Sequence, residues 1–351
     1  MDAHARRSDY TVEFRTDLPA LVEPWRGLAR RALEPNPFAE PDFLLPALQH
    51  LPDGRGVLPA LVWKGASLCG LVPLLPPRFA LGGLRLWRPE GAPALPLLDQ
   101  DDPVGVLRAL AEALARRYSR PALVFPEIPD GPVAAALEEA GDDLRGRERQ
   151  DPVLRGRAEG ADFTRRRRVL RLERARDPRR IRDAVEEFLI LEAAGAAGKA
   201  GRAFVHDPAR VSFLRSATRQ LARQRRCRIE LLRIAGETAA AAIVVEAGRQ
   251  AWLWRAVADE RRGPAPLRLL LEEIGRAGPD LIRACASAPR AALEEAWPAR
   301  AWCADHRLRL ECAPALAPRL FGLAPRIGPG ARVEPGARVG PAPERPLPPA
   351  A

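Results

Sequence analysis

Lysine is nearly absent: Lys64 and Lys199 are the only two in 351 residues. Tyrosine is as scarce, at Tyr10 and Tyr118. So few flat rings poorly supply a stacking platform for single-stranded nucleic acid. No stretch reaches the roughly 18 consecutive apolar residues of a transmembrane helix. The first ten residues carry Arg6 and Arg7 with no apolar run behind them, so they do not read as a secretory signal. The five cysteines, Cys69, Cys227, Cys285, Cys303 and Cys312, form no C-x-x-C pair. That spacing argues against a zinc cage, and no metal site is expected. An odd count without a signal fits a reducing, cytoplasmic compartment. A P-loop, an HExxH helix and a Ser-His-Asp signature are also missing, which removes the chemistries that depend on them.

What fills the space is arginine. The formal net charge is +11. Abundant Arg, Ala, Gly and Pro together are the mark of a GC-rich bacterial genome, which accounts for arginine without a function. The same charge also suits an anionic small ligand such as a nucleotide, or nucleic acid bound non-specifically. At about 100–200 residues per domain the length predicts two domains. An apolar share of 47% is enough for two cores.

Hydrophobic periodicity predicts an α/β (α+β) chain. In the first half, a short strand over 11–15 precedes helices over 17–33 and 42–51, with Asp17 and Asp42 as caps. Strands over 57–63 and 68–75 are joined by Lys64-Gly65-Ala66-Ser67, a hairpin signal. Residues 76–96 are proline-rich and read as loop, with one strand near 84–87. A helix over 103–118, a strand over 122–125 and a helix over 132–140 follow. Residues 150–162 are polar and mark a boundary, giving domains over 10–150 and 160–312.

In the second half, helices are expected over 178–194 and from Asp207 to about residue 224. Strands over 228–234, 239–247 and 250–257 have links short enough for hairpins. A helix over 267–277, a strand near 281–284, a helix near 289–296 and a strand near 307–311 close the unit. Residues 313–351 are rich in Pro, Ala, Gly and Arg, with PGARV twice, and offer too little apolar surface to offset ordering entropy. They are expected to be disordered.

One segment carries an anion-binding pattern. The helix after the three strands opens with Arg261-Arg262-Gly263-Pro264-Ala265-Pro266-Leu267. A glycine-containing loop feeding a helix start presents free backbone N–H groups and the positive end of the helix dipole. Arg261 and Arg262 add planar guanidinium groups suited to phosphate. A turn with solvated arginines and a proline-started helix fits the same residues.

The order of the second-half elements resembles the GNAT acyltransferase fold. More narrowly the chain resembles the tandem-GNAT branch associated with bacterial cellulose and exopolysaccharide biosynthesis, which is related in shape to Fem-type aminoacyltransferases. The traces are Asn36-Pro37-Phe38, Pro96-Leu97-Leu98-Asp99, Asp130-Gly131-Pro132, the basic run at 165–168, Glu192 through Gly201, and 259–271. The resemblance implies two tandem GNAT-like domains, each a mixed, mainly antiparallel sheet flanked by helices. It implies acetyl-CoA or another acyl-CoA as co-substrate, held by Arg261, Arg262, Gly263, Ala265, Leu267 and Arg268. Glu260 stands where the family has Arg or Gln, and Pro264 and Pro266 have no N–H to donate.

Acyl transfer also needs a group to take the acceptor's proton. Glu192, Asp259 and His206 are the candidates, and Lys199, between glycines, can steady an anionic group on the acceptor. For Glu192, Lys199 and His206 a plain surface or capping role fits equally. The acceptor is expected to be a small molecule or a saccharide, and DNA is not expected. Two other readings stay open: a Fem-like transferase using charged tRNA, and a non-catalytic partner in polysaccharide synthesis.

Overall fold

The first strand is built by alternation. Tyr10, Val12 and Phe14 point one way and Thr11 and Glu13 the other, giving β1 (Tyr10–Phe14). A computed structural model describes residues 9–76, 84–93, 95–118, 122–141, 148–155, 170–276, 281–297 and 299–310. The basic run at 165–168 and the segment 313–351 lie outside the described residues.

After β1 come α1 (Val22–Arg30), α2 (Pro41–His50), β2 (Leu58–Lys64), β3 (Ser67–Leu75), β4 (Leu84–Leu86), β5 (Leu97–Leu98), α3 (Pro103–Arg117), β6 (Ala122–Pro129), α4 (Pro132–Gly141) and β7 (Glu148–Arg155). The second half repeats that order with β8 (Leu170–Ala175), α5 (Pro178–Ala194), the single turn α6 (Ala196–Lys199), α7 (Pro208–Arg223), β9 (Cys227–Ile234), β10 (Glu237–Ala247), β11 (Gln250–Ala258), α8 (Ala265–Arg276), β12 (Leu281–Ala284), α9 (Arg290–Ala296) and β13 (Ala299–Arg309).

Local chemistry explains most starts and stops. Asp102 accepts from the Gly105 N–H at 2.8 Å, Asp177 from Arg180 at 3.0 Å and Asp207 from Ala209 at 2.9 Å, each followed by a proline that needs no partner. The hairpin between β9 and β10 turns on Ala235 and Gly236, both left-handed at φ 52° and 89°. Three expectations shift. Asp17 caps no helix: a 3-10 turn begins at Pro19 after Leu18, and α1 starts only at Val22. Asp42 sits in the first turn of α2 and pairs with Arg26 instead of capping, because Pro41 already begins the helix after Glu40. The last strand begins at Ala299, well before 307.

The strands form one mixed, mostly antiparallel sheet in the order β1-β2-β3-β4-β6-β13-β7-β12-β11-β10-β9-β8. Its middle is unusual. β13, the last strand of the chain, inserts beside β6 of the first half, while β7, at the end of the first half, pairs with β12 of the second. The segment read as a polar link thus starts with sheet residues. Its pairing is supplied from more than a hundred residues away, and composition carries no mark of that.

One face of the sheet is covered by α1, α2, α5 and α7 over a shared core that includes Trp25, Phe43, Phe213, Trp252 and Trp254. Phe43 stands edge-on to Trp254 at 5.0 Å and to Phe213 at 5.3 Å, so helices of both halves meet on one aromatic cluster. Trp252 and Trp254 are core residues, fully buried. The other face has two separate cores, one under α3 and α4 and one under α8 and α9.

Candidate functional site

Parallel strands β11 and β12 run together only from Gln250↔Leu281 to Leu253↔Ala284. Beyond that β11 continues to Ala258 paired with β10 but without β12. A bulge on β11 marks the parting: Ile243 of β10 faces Arg255 and Val244 faces Leu253, leaving Trp254 as the extra residue. The gap is shaped by the first half. Ser287 Oγ donates to the Trp254 carbonyl at 2.6 Å, Trp254 Nε1 to the Glu90 carbonyl at 3.3 Å, and Ala286 N–H to the Gly91 carbonyl at 3.1 Å. Glu90 holds a left-handed backbone at φ 48° to make this fit.

Four charged side chains meet beside the gap. Glu192, on the last turn of α5, is 3% exposed. Its Oε1 accepts from Arg255 Nη2 at 2.9 Å and its Oε2 from the Phe204 N–H at 2.7 Å. Arg210 grips the Glu90 carboxylate with two hydrogen bonds of 2.8 Å, and Arg255 lies 3.7 Å from the same carboxylate. Both guanidinium groups lie 4.3 Å from the Phe204 ring centre. Burial pulls Arg255 below its usual pKa although Glu192 and Glu90 stand beside it. For Arg210 the Glu90 bonds outweigh burial and raise it. The reading of Glu192 as a solvated helix-end carboxylate is therefore replaced: it is a buried, paired acid.

A cavity of about 450 Å³ opens between the end of β11, the turn from α5 to α6, and the start of α8. Leu191, Ala256, Val257 and Leu267 give it apolar walls, and Glu192, Glu260 and Gly263 also line it. Glu260 reaches across the opening. Its Oε1 accepts from the Ala196 N–H at 2.5 Å and its Oε2 lies 3.7 Å from Lys199 Nζ. Gly198 makes this turn possible, since a Cβ there would sit 1.7 Å from the Ala193 carbonyl oxygen. Gly263 has φ 71° and ψ −167°, a conformation essentially confined to glycine.

Asp259, Arg261, Arg262, Ala265, Arg268 and His206 lie outside the lining of this cavity. Asp259 caps the 3-10 turn at Glu260–Arg262. It accepts from the Arg261 N–H at 3.1 Å, from Arg261 Nε and Nη2 at 2.9 and 3.0 Å, and from Arg262 Nε at 3.3 Å. Its side chain is 9% exposed, shielded by those guanidinium groups at the surface and not by the core. They hold its pKa at about 2. Arg262 also pairs with Glu237. The Arg268 side chain reaches Glu295 at 2.8 Å, and its N–H donates to the Pro264 carbonyl at 3.2 Å, so that amide is already used. Ala265 and Leu267, as first-turn residues, keep N–H groups without an intrahelical partner. His206 is exposed in the turn before α7. No His, Cys, Asp or Glu group among the described residues could hold a metal ion.

Glu90, Arg210 and Arg255 are the site residues that sequence reasoning missed. A charged residue near the end of an apolar strand was the one local signal for Arg255. Nothing local pairs it with Glu90.

The model for the acetyltransferase (GNAT) domain matches residues 156–281. No curated protein matches the chain. Among solved structures, FemX has a TM-score of 0.52 at 10% identity, with 86% of this chain and 97% of that chain covered. A conserved protein of unknown function from Bacteroides thetaiotaomicron has a TM-score of 0.51 at 12% identity, covering 85% and 100%. The C-terminal domain of an Agrobacterium fabrum protein described as a lysylphosphatidylglycerol synthetase has a TM-score of 0.50 at 13% identity, covering 84% and 92%. The fold is GNAT-like, a large, mostly antiparallel sheet flanked by helices.

Proposed function

We propose that this chain transfers an acyl group from a coenzyme A thioester to the amine or hydroxyl of a small polar or saccharide-type acceptor in the cytoplasm, of the kind used in envelope or exopolysaccharide synthesis. The cavity where β11 leaves β12 carries this reading. Its apolar walls suit a thin, uncharged arm, and the α8 start offers the Ala265 and Leu267 amides and the positive dipole end to phosphate. A bound acyl-CoA supplies the activated thioester. Arg261 and Arg262 neutralise Asp259 so that the loop does not repel that anion. Glu192 takes the acceptor's proton, using lone pairs left over from Arg255 and Phe204. Lys199 and the Ala196 N–H hold Glu260 to the rim.

A second reading, in which the coenzyme A site is lost and the chain is a non-catalytic partner or uses charged tRNA, is favoured by one observation: Pro264 and Pro266 have no N–H to offer at the start of α8. Calorimetric titration with acetyl-CoA and longer acyl-CoAs at two salt concentrations separates the two. Saturable micromolar binding, weakened in Arg261→Ala/Arg262→Ala, is the expected result. No binding to any acyl-CoA, with salt-sensitive binding of tRNA, establishes the second reading instead.

A further inference from the structure

A second cavity, of about 630 Å³, lies between α5 and α7 near the end of α2. We propose that this groove docks the protein on an anionic phospholipid surface, with headgroup phosphates between the two helices. Five arginines line it (Arg179, Arg182, Arg215, Arg219 and Arg223) against one glutamate, Glu186. Glu186 is consumed by Arg215 through hydrogen bonds of 2.7 and 2.6 Å. Arg182 pairs with Asp183. Arg179, Arg219 and Arg223 have no carboxylate within ion-pair distance among the described residues. That distinguishes the groove from the rest of the protein, where a composition-driven excess of arginine is mostly absorbed into ion pairs such as Arg174–Glu230 and Arg233–Glu187.

The placement follows helical spacing. Arg215, Arg219 and Arg223 recur every four residues on one side of α7, with Ser212 and Ser216 one turn earlier. Arg179 and Arg182 stand on the first turns of α5 and face them across the groove. Packed helices lie about 8–10 Å apart, so guanidinium groups on the two walls bracket a phosphate from both sides. The floor is apolar, with Ile181 and Val185.

Two observations favour a bilayer over RNA. Among the described residues, Ile190 and Val205 are two of three large apolar side chains left exposed, at 69% and 41%. Ile190 extends the Arg182–Glu186 row by one turn, and Val205 lies in the turn leading into α7. Basic residues beside exposed aliphatics on one helical layer are the pattern of a surface that rests in the headgroup region. No Phe, Tyr or Trp lines the groove, and His50 is its one ring, so the aromatic platform that successive bases stack on is missing.

The test is sedimentation of the full chain with vesicles of phosphatidylcholine alone and with about a third phosphatidylglycerol. Binding to the anionic vesicles only is expected. At about fivefold per arginine, Arg219→Ala/Arg223→Ala weakens partitioning about 25-fold. Ile190→Ser weakens it further in salt that screens the arginines. The charge-matched variant Arg108→Ala/Arg116→Ala, on exposed α3 positions, keeps full binding. Equal binding to neutral vesicles overturns the proposal. So does full binding by Arg219→Ala/Arg223→Ala, or binding of tRNA in place of vesicles. None of these outcomes depends on acyl-CoA affinity, so the two proposals fail separately.

Discussion

Glu192, the proposed proton acceptor, is also a buried, paired acid, and its removal tests that pairing through stability alone. Replacing it by Met removes a buried carboxylate from Arg255 and from the Phe204 N–H. Breaking a buried ion pair by deleting one partner costs about 3–5 kcal/mol. An orphaned buried N–H adds about 1–3 kcal/mol. Arg255 keeps Glu90 at 3.7 Å and is 14% exposed, so the lower end applies and about 4 kcal/mol is expected in total. For the compact unit Met1–Cys312, about 2.1 cal/mol/K per residue gives an unfolding entropy of about 0.66 kcal/mol/K, so Tm falls by about 6 °C. Glu192→Met/Arg255→Met removes both charges and fills the space with apolar volume. Glu90 retains Arg210, so only the Phe204 N–H loses its partner. The double variant should recover at least half of the loss. Thermal unfolding followed by circular dichroism reads Glu192→Met, Arg255→Met, the double variant and the parent. A double variant as unstable as the two single losses added together refutes the buried-pair account. So does a single variant within 1 °C of the parent.

Gly263→Ala meets open space but must hold φ 71° with ψ −167°, which costs about 1–3 kcal/mol or forces the loop to rearrange. Acetyl-CoA affinity should drop even where Tm barely moves, and calorimetry checks it. Acid should destabilise the protein in a defined window. Burial raises Glu127, Asp151 and Glu187, but their arginine partners outweigh it and hold all three below ordinary carboxylate values. A depressed folded pKa gives stability that is full above the unfolded value, near pH 4 to 4.5, and is lost as pH falls through the folded one. Urea midpoints should be flat from pH 7 to 5.5 and fall at pH 3.5; a midpoint unchanged at pH 3.5 contradicts those pairings.

Much of the local structure was readable. Helices were expected to begin at Pro103, Pro178 and Asp207, where Asp102, Asp177 and Asp207 supply the caps; Asp259, read only as a proton acceptor, caps the 3-10 turn before α8. Gly263 and Leu267, expected in a loop that feeds a helix after a strand, are found there and line the cavity. What stayed hidden depends on partners far away in sequence. Glu260 looked like a residue that would repel phosphate, and it is held instead by the Ala196 amide and Lys199, over sixty residues earlier. Glu90 and Arg210, 120 residues apart, are joined by two hydrogen bonds that no local pattern marks. β7 is a strand because β12 and β13 reach it, and its own residues, Glu148 to Arg155, carry little apolar signal.

The exchange of β7 and β13 also bears on how this protein is made. Glu127 and Asp305, joined across β6 and β13, are 178 residues apart. At about 5–20 residues per second the emerging first half waits roughly 10–35 seconds before β13 is translated. Throughout that interval β6 is an open sheet edge, a template for another chain's strand. Crowded synthesis therefore favours pairing between neighbouring nascent chains, and recombinant yield should respond more strongly to expression rate than to the stability of the finished fold.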